Sequence, residues 1–291
     1  MSGDIRSPGG ASGPSRAPGS VDGGPGARGA VARLRAWGAA PTGETWDTPS
    51  SALAAGVRDG LPVIAKVARL EEERRGGRLM AWWSGHGGLP VLEHEDDAVL
   101  LRRATGALDL TAWATAGRDD EATAVLVDTV LALHAMPAPP ASVGLVPLRT
   151  WFRDLTDRPQ PDPLLDRAAS LARDLLAEPG PTVALHGDVH HGNVLDLGDR
   201  WAAIDPKGLL GHPAFDLANL CCNPSEEIAV PRLDARLDLV AERAGIDRGL
   251  LAAWTAAWCG LSLVWSGDEA SWHGGTTRRI ATRLLRADPQ S

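Results

Sequence analysis

The chain has 291 residues, of which 44% are hydrophobic, enough apolar surface for one large domain or two lobes. A formal charge of −8 argues against a general nucleic-acid binder, which needs a basic face to displace phosphate counterions, and suits a cationic partner instead. Cys221, Cys222 and Cys259 have neither metal-knuckle nor redox spacing, and there is no leader-like start or run of about 18 apolar residues. A cytoplasmic protein that meets no membrane is expected, with no protein partner evident.

Residues 1–30 are rich in Gly, Pro and Ser with hardly a large apolar side chain, and read as a disordered tail. In 31–102, Val57, the Asp59-Gly60 turn and the apolar run 61–68 predict a hairpin whose second strand carries Lys66. Glu71, Glu72 and Glu73 open an amphipathic helix that runs through Leu79, Met80, Trp82 and Trp83, and 89–92 and 98–101 read as strands.

Beyond Arg103 the pattern is mainly helical. Helices are expected over 120–136, capped by Asp119 and Asp120 and stopped by the Pro-rich 137–140, and over 163–177, 231–244 and 248–266. The fold class is α+β: a small β-rich lobe over 31–102, a larger mainly helical lobe over 103–291, and a ligand cleft between them. No period of 20–50 residues recurs. Of the 11 tryptophans, Trp82, Trp83, Trp254 and Trp258 fall at helix-face spacing and are expected in the core.

The densest chemistry lies where an apolar strand, 182–185, feeds the polar loop His186-Gly187-Asp188-Val189-His190-His191-Gly192-Asn193. A hairpin follows, 194–197 and 201–204 around Gly198-Asp199-Arg200, and delivers Asp205 back beside the loop. Phosphoryl transfer asks for such a set: one carboxylate to orient and deprotonate an attacking hydroxyl, and an amide with a second carboxylate to hold Mg²⁺. The interval from Asp188 to Asn193 and the later Asp205 match the protein-kinase spacing.

The segment HGDVHHGNVLDLGDRWAAIDPKGLLGHPAFDLANLCCNP resembles the motif region of aminoglycoside phosphotransferases, above all the streptomycin 6-phosphotransferases and the related hydroxyurea phosphotransferases. TPSS at 48–51, VIAKVAR at 63–69, MAWW at 80–83, GRDDEA at 117–122 and AWCGLSLVW at 257–265 extend the resemblance over nearly everything after the tail. It implies a protein-kinase-like bilobal fold, ATP and Mg²⁺ as cofactors, and an aminoglycoside as substrate. It also implies Asp188 as base, Asn193 and Asp205 as metal ligands, Lys66 on the α- and β-phosphates, and Glu73 steadying Lys66. The loop with Ser50 and Ser51 would cover the phosphates. Those two residues suit that task through small hydroxyls and exposed N–H groups, and read equally well as a plain polar turn.

There are departures and neighbours to weigh. No GxGxxG or Walker motif occurs. At the adenine-facing stretch 100–104 Arg102 stands where relatives carry an acidic residue, so adenine contacts are expected from backbone. His186 reads as a brace for the loop, His190 and His191 as loop residues, and Asp216 as a helix cap that ties the loop down. Lys207 reads as solvated, with a phosphate contact as the alternative. Which of Glu71, Glu72 and Glu73 meets Lys66 stays open. Glu226, Glu227, Asp268 and Glu269 are candidate partners for the guanidinium groups of streptomycin.

Two rivals remain: a two-metal hydrolase built on His186, Asp188, His190, His191, Asn193 and Asp205, and a pseudokinase-like module that binds nucleotide without turnover. The expected activity is phosphorylation of streptomycin at the 6-hydroxyl, with hydroxyurea or another small molecule as the alternative acceptor.

Overall fold

Residues 24–266 and 272–286 are described by the structure, a computed structural model. Its first element, α1 (Pro25–Ala36), begins inside the segment expected to be a tail. Pro25 is pre-set for a helix start, and Ala27, Ala30, Val31 and Leu34 form a buried stripe at i, i+3, i+4 and i+7. The expectation for 25–30 is therefore corrected: alanines are small enough to look like tail in composition, yet they seat the helix closely on a sheet. The rest of the expected tail, 1–23, lies outside the described residues.

Five strands, β1 (Ala40–Asp47), β2 (Ser51–Arg58), β3 (Leu61–Ala68), β4 (Val91–Glu95) and β5 (Ala98–Arg102), form a sheet in the order β1-β2-β3-β5-β4. All neighbours are antiparallel. Asp59 and Gly60 both take positive φ in the β2–β3 turn, the geometry a tight hairpin needs. Alternation along the strands divides the sheet. Ala52, Ala54, Val63, Ala65 and Leu100 pack with α1 on one face, while Leu53, Lys66 and Val99 share the other. α2 (Glu71–Trp83) follows β3 after two residues and buries Leu79, Met80 and Trp83.

The helical part comprises α3 (Leu110–Thr115), α4 (Asp119–His134), the short α5 (Leu148–Trp151) and α6 (Arg153–Thr156), and α7 (Pro163–Ala177). α8 (Ala214–Leu220), α9 (Glu226–Ala244), α10 (Arg248–Ser266) and α11 (Trp272–Arg286) complete it. Small strands β6 (Val146–Pro147), β7 (Val183–Leu185), β8 (Val194–Asp196), β9 (Trp201–Ala203) and β10 (Leu209–Gly211) frame the polar loop. One core gathers Leu126, Val130, Leu217 and Leu237 from α4, α8 and α9; another gathers Phe152, Ala168, Phe215 and Trp254 around α7 and α10. Trp83 and Trp254 are buried, and Trp82 and Trp258 pack half-buried against these cores, as their spacing predicts.

Two helix starts differ from expectation. Neither Asp119 nor Asp120 caps α4: Arg118 is the cap residue, because both aspartates turn to arginines of α9 instead. α9 begins at Glu226, not 231, and carries Pro231 inside it; an internal proline forgoes one i→i−4 bond and so mimics a helix start in the sequence.

The two parts meet along a defined seam. The segment after α2 bonds to β9, Leu89 N to Ala203 O at 3.0 Å and Ala203 N to Gly87 O at 2.8 Å. Gly76 lets α2 press against the turn after Asp205, since a Cβ there would lie 2.5 Å from the Pro206 carbonyl oxygen.

Candidate active site

The upper wall of the cleft follows from strand and helix periodicity. Alternation in β3 turns Lys66 away from α1, and the nearby start of α2 brings its acidic first turn alongside. Successive helix residues are rotated by about 100°, so the three glutamates diverge. Glu71 bonds Arg78 at 2.6 Å, Glu72 bonds Lys207 at 2.9 Å, and Glu73 meets Lys66 Nζ at 2.5 Å. The open question of which glutamate pairs with Lys66 is answered by Glu73.

Lys66 Nζ also lies 2.8 Å from Asp205 Oδ1, across the seam. Burial pushes the Lys66 ammonium down, but Asp205 and then Glu73 outweigh it and hold it above its ordinary value. Burial likewise pushes the Asp205 carboxyl up, and Lys66, with Lys207 and His186, more than reverses this. Both groups are charged at neutral pH. Asp205 takes φ +58, a left-handed conformation uncommon for a non-glycine residue and frequent at functional sites.

The lower wall is a loop fastened from behind. Asp216, in α8, accepts from His186 N at 2.8 Å and Gly187 N at 2.7 Å, and pairs with His134 Nε2 at 2.9 Å. It ties the loop down, but it does not cap α8, whose cap residue is Pro213. His186 Nε2 donates to Ile204 O at 2.7 Å and its Nδ1 accepts from Asp188 N at 3.2 Å, and the ring stacks on Trp83. Both ring nitrogens brace backbone. Gly187, at φ +85, has no room for a Cβ between Leu209 and Lys207.

Asp188 Oδ1 accepts from Asn219 Nδ2 at 3.0 Å, with His190 Nε2 at 3.9 Å. Asn193 spends its side-chain N–H on the Asp188 carbonyl at 2.9 Å, and its own carbonyl accepts from Ile204 N at 2.9 Å. That orientation keeps the amide oxygen available to a cation. Asn219 is itself set by Asn223 Nδ2 at 2.9 Å. Arg236 donates to the Asn223 carbonyl and, at 3.0 and 2.5 Å, to Asp119.

Asn219, Asn223, Arg236 and Asp119 are the functional surroundings that the motif reading misses. The available signal was the spacing of Asp216, Asn219 and Asn223, three and four residues apart, the first two on α8 and the third just beyond its end.

Lys207, expected in solvent, is in fact largely buried between Glu72 and the loop. Burial pushes its ammonium down, but Asp188 and then Glu72 hold it above its ordinary value. His190 Nδ1 accepts from Gly192 N at 3.0 Å. His191 is buried with both nitrogens unpartnered. Burial, then Arg236, push it down to about 3 against the pull of Asp119, so it brings no positive charge near neutral pH.

Ser50 sits in the β1–β2 turn and Ser51 opens β2. Ser51 opposes Ala68, two residue pairs beyond the Leu53–Lys66 pair, or about 7 Å along the strands. Ser51 is buried, with its N–H given to Thr48 Oγ1 at 3.0 Å, which leaves Ser50 at the tip. At the adenine-facing stretch, Arg102 N and Arg103 N already donate to Pro90 O and Pro62 O, and the Arg103 side chain pairs with Glu44 at 2.7 and 2.8 Å.

Glu226 pairs with Arg279 at 3.1 Å, Glu227 is exposed at the start of α9, and Asp268 and Glu269 lie outside the described residues. Among the described residues no three His, Cys, Asp or Glu groups converge to hold a metal, which counts against the two-metal hydrolase. A kinase site needs fewer, since Mg²⁺ keeps waters and takes phosphate oxygens beside one or two carboxylates. The charged Asp205 carboxylate with the Asn193 oxygen fits that requirement.

A sheet lobe carrying a Lys–Glu pair, set over a helical lobe carrying an Asp-to-Asn loop and a later Asp, defines a kinase-like phosphotransferase. The chain matches the aminoglycoside/hydroxyurea antibiotic resistance kinase family over residues 36–270. It is 42% identical over 240 residues to a streptomycin 3''-kinase of Klebsiella pneumoniae, covering 80% of this chain and 90% of that one. It is 32% identical over 233 residues to a streptomycin 6-kinase of Streptomyces griseus, covering 72% and 73%.

Among solved structures, a thermostable mutant of aminoglycoside phosphotransferase APH(4)-Ia, in ternary complex with AMP-PNP and hygromycin B, shares the fold at TM-score 0.57 and 17% identity, over 84% of this chain and 93% of that one. The protein belongs to the aminoglycoside/hydroxyurea antibiotic resistance kinase family. It is an ATP-dependent phosphotransferase that acts on hydroxyl groups.

Proposed function

We propose that this protein phosphorylates a hydroxyl of streptomycin, conferring resistance or self-protection, and works in the cytoplasm where ATP is supplied. The observation that carries this reading is the contact of Lys66 with Asp205 across the seam, with the turn after Asp205 bonded to the Asp188 loop through Lys207 N and His186 O, in a chain 42% identical to a streptomycin kinase. The nucleotide-binding residues would lie in 31–102 and the catalytic and acceptor-binding residues in 103–291.

Lys66, steadied by Glu73, would neutralise the α- and β-phosphates of ATP. Asp188, oriented by Asn219, would align the acceptor hydroxyl in line with the γ-phosphorus and take its proton as the new O–P bond forms and the bridge to ADP breaks. Asp205 and Asn193 would hold Mg²⁺, which supplies charge neutralisation on the phosphates when bound. Ser50, at the tip of the β1–β2 turn, would donate to phosphate oxygens, with Ser51 shaping the turn through Thr48.

The expected 6-hydroxyl has support from the 32% likeness to a 6-kinase. The 42% likeness to a 3''-kinase favours the 3''-hydroxyl, and we place the phosphate there. Purified protein is incubated with MgATP and streptomycin, hydroxyurea or no acceptor. ADP release and the phosphorus and proton spectra of the product then report turnover and position. Streptomycin-dependent release that Asp188→Ala lowers by roughly 10²–10⁴-fold is expected. Turnover equal in the variant would remove Asp188 as base, and nucleotide binding without release for any acceptor would favour the non-catalytic reading.

A further inference from the structure

The mechanism above leaves one buried charge in the cleft without a task. Lys207 follows Asp205 by two residues, and its backbone is fixed at both ends: its N–H donates to His186 O at 2.6 Å and its carbonyl accepts from Arg75 Nε at 2.8 Å. The base of its side chain packs on Gly187, where a Cβ would lie 3.0 Å from Lys207 Cβ, so the side chain starts beside the residue that precedes Asp188. Nζ bonds Glu72 Oε1 at 2.9 Å, with both side chains about one-fifth exposed, 18% and 22%. Asp188, then Glu72 and Glu73, are the carboxylates that act on it most, and it acts in turn on Asp205. It is thus a second Lys–Glu pair, built from the glutamate next to Glu73, and Asp188 acts on it where Asp205 and Glu73 act on Lys66.

We infer that Lys207 is a further catalytic residue, whose ammonium exchanges its bond to Glu72 for one to the oxygens of the phosphoryl group in transit. Lys66 neutralises phosphates that stay with ADP, whereas a cation beside Asp188 meets the phosphoryl group that leaves. As the acceptor oxygen bonds to the γ-phosphorus and the bridge to ADP breaks, charge spreads over the three equatorial oxygens. A fixed cation there binds the transition state more strongly than the ground state. Lys207 stays protonated throughout, the acceptor proton passes to Asp188, and Glu72 serves as the resting partner that keeps the long side chain ordered in the empty cleft.

This inference rests on the phosphotransferase reading, and the rival account of the same geometry is a purely structural tie between α2 and the loop. The two separate by variant. In the kinase assay Lys207→Met should lower kcat by about 10²-fold, with KM for ATP and acceptor within about threefold and a melting temperature no lower than that of Glu72→Gln. Lys207→Arg should recover part of the loss. Glu72→Gln, which breaks the same tie but leaves the cation, should lose less than about tenfold.

A second readout needs no acceptor: ADP with Mg²⁺ and aluminium fluoride should bind wild type more tightly than ADP with Mg²⁺ alone, and Lys207→Met should lose that increment. Failure of streptomycin as acceptor therefore leaves Lys207 testable. Equal losses in Lys207→Met and Glu72→Gln, or a retained fluoride increment in Lys207→Met, would overturn the inference.

Discussion

The two walls of the cleft are built in opposite ways. On the upper wall Lys66, Glu73 and Glu72 come from one strand and the helix that follows it, and all three reach into the cleft. On the lower wall Asp188 is held from behind by buried polar groups: Asn219, Asn223, Arg236 at 0% exposure and Asp119 at 4%. Arg236 and Asp119 are 117 residues apart in the chain. The Lys66–Glu73 pair is itself nearly buried, at 11% and 16% exposure, but Lys66 also touches Asp205 across the seam and so keeps one counter-charge when a nucleotide displaces the other. A loop that is to aim Asp188 as the proposed base needs a frame that does not move, and fully satisfied buried networks supply such rigidity.

The largest expected effect falls on that frame. Asp119→Asn leaves Arg236 buried without its counter-charge, and urea unfolding should show a loss of about 3–5 kcal/mol. The same variant tests the pH dependence. Burial pushes the Asp119 carboxyl up, but Arg236 and Arg232 hold it below its ordinary value. Its stabilisation is then complete above the ordinary carboxylate range, near pH 4, and is lost as pH falls through the lowered value. Stability curves from pH 6 to about 2 should fall less steeply for Asp119→Asn than for wild type.

Asn219→Ala probes the link between frame and chemistry. It removes a bond to a charged carboxylate worth about 1.5–3 kcal/mol. That should appear as a fall in kcat of about 10–100-fold, with KM for ATP unchanged; a rise in that KM instead would mean the walls are not independent. On the upper wall Glu73→Gln should do the reverse, raising KM for ATP, and because Lys66 keeps Asp205 as a counter-charge it should cost less stability than Asp119→Asn in the same urea unfolding.

Smallest, and outside both walls, is Asp162→Ala. Asp162 caps α7 by accepting from Leu164 N at 2.8 Å. Its loss should cost about 1 kcal/mol with kinetics unmoved. A kinetic effect would show that the frame extends to α7.

The difference between the walls also governs what could be read in advance. Lys66 in β3, the acidic turn of α2 and the hairpin delivering Asp205 rest on local periodicity and turn chemistry, and the structure brings them together. α7 matches its expected span residue for residue, its start marked by the Asp162 cap, and α10 starts at Arg248 as expected and continues through its strongly apolar stretch as far as the described residues run. The helix over 25–30 escaped because alanine carries little apolar signal, and the start of α9 because an internal Pro231 imitates a boundary. Lys207 was read as solvated because nothing near it in the chain reveals that Glu72, on another element, closes over it.

The sequence by itself determined the α+β class, through local periodicity, and the phosphotransferase chemistry, through the spacing of Asp188, Asn193 and Asp205 together with a resemblance that runs along most of the chain. Only the tertiary structure decided which glutamate meets Lys66, that Asp119 serves Arg236 and not the start of α4, and that Asn219 aims Asp188. A buried charge or amide takes whichever partner the packed elements bring within about 3 Å. That choice is made across the fold, where short-range spacing carries no information.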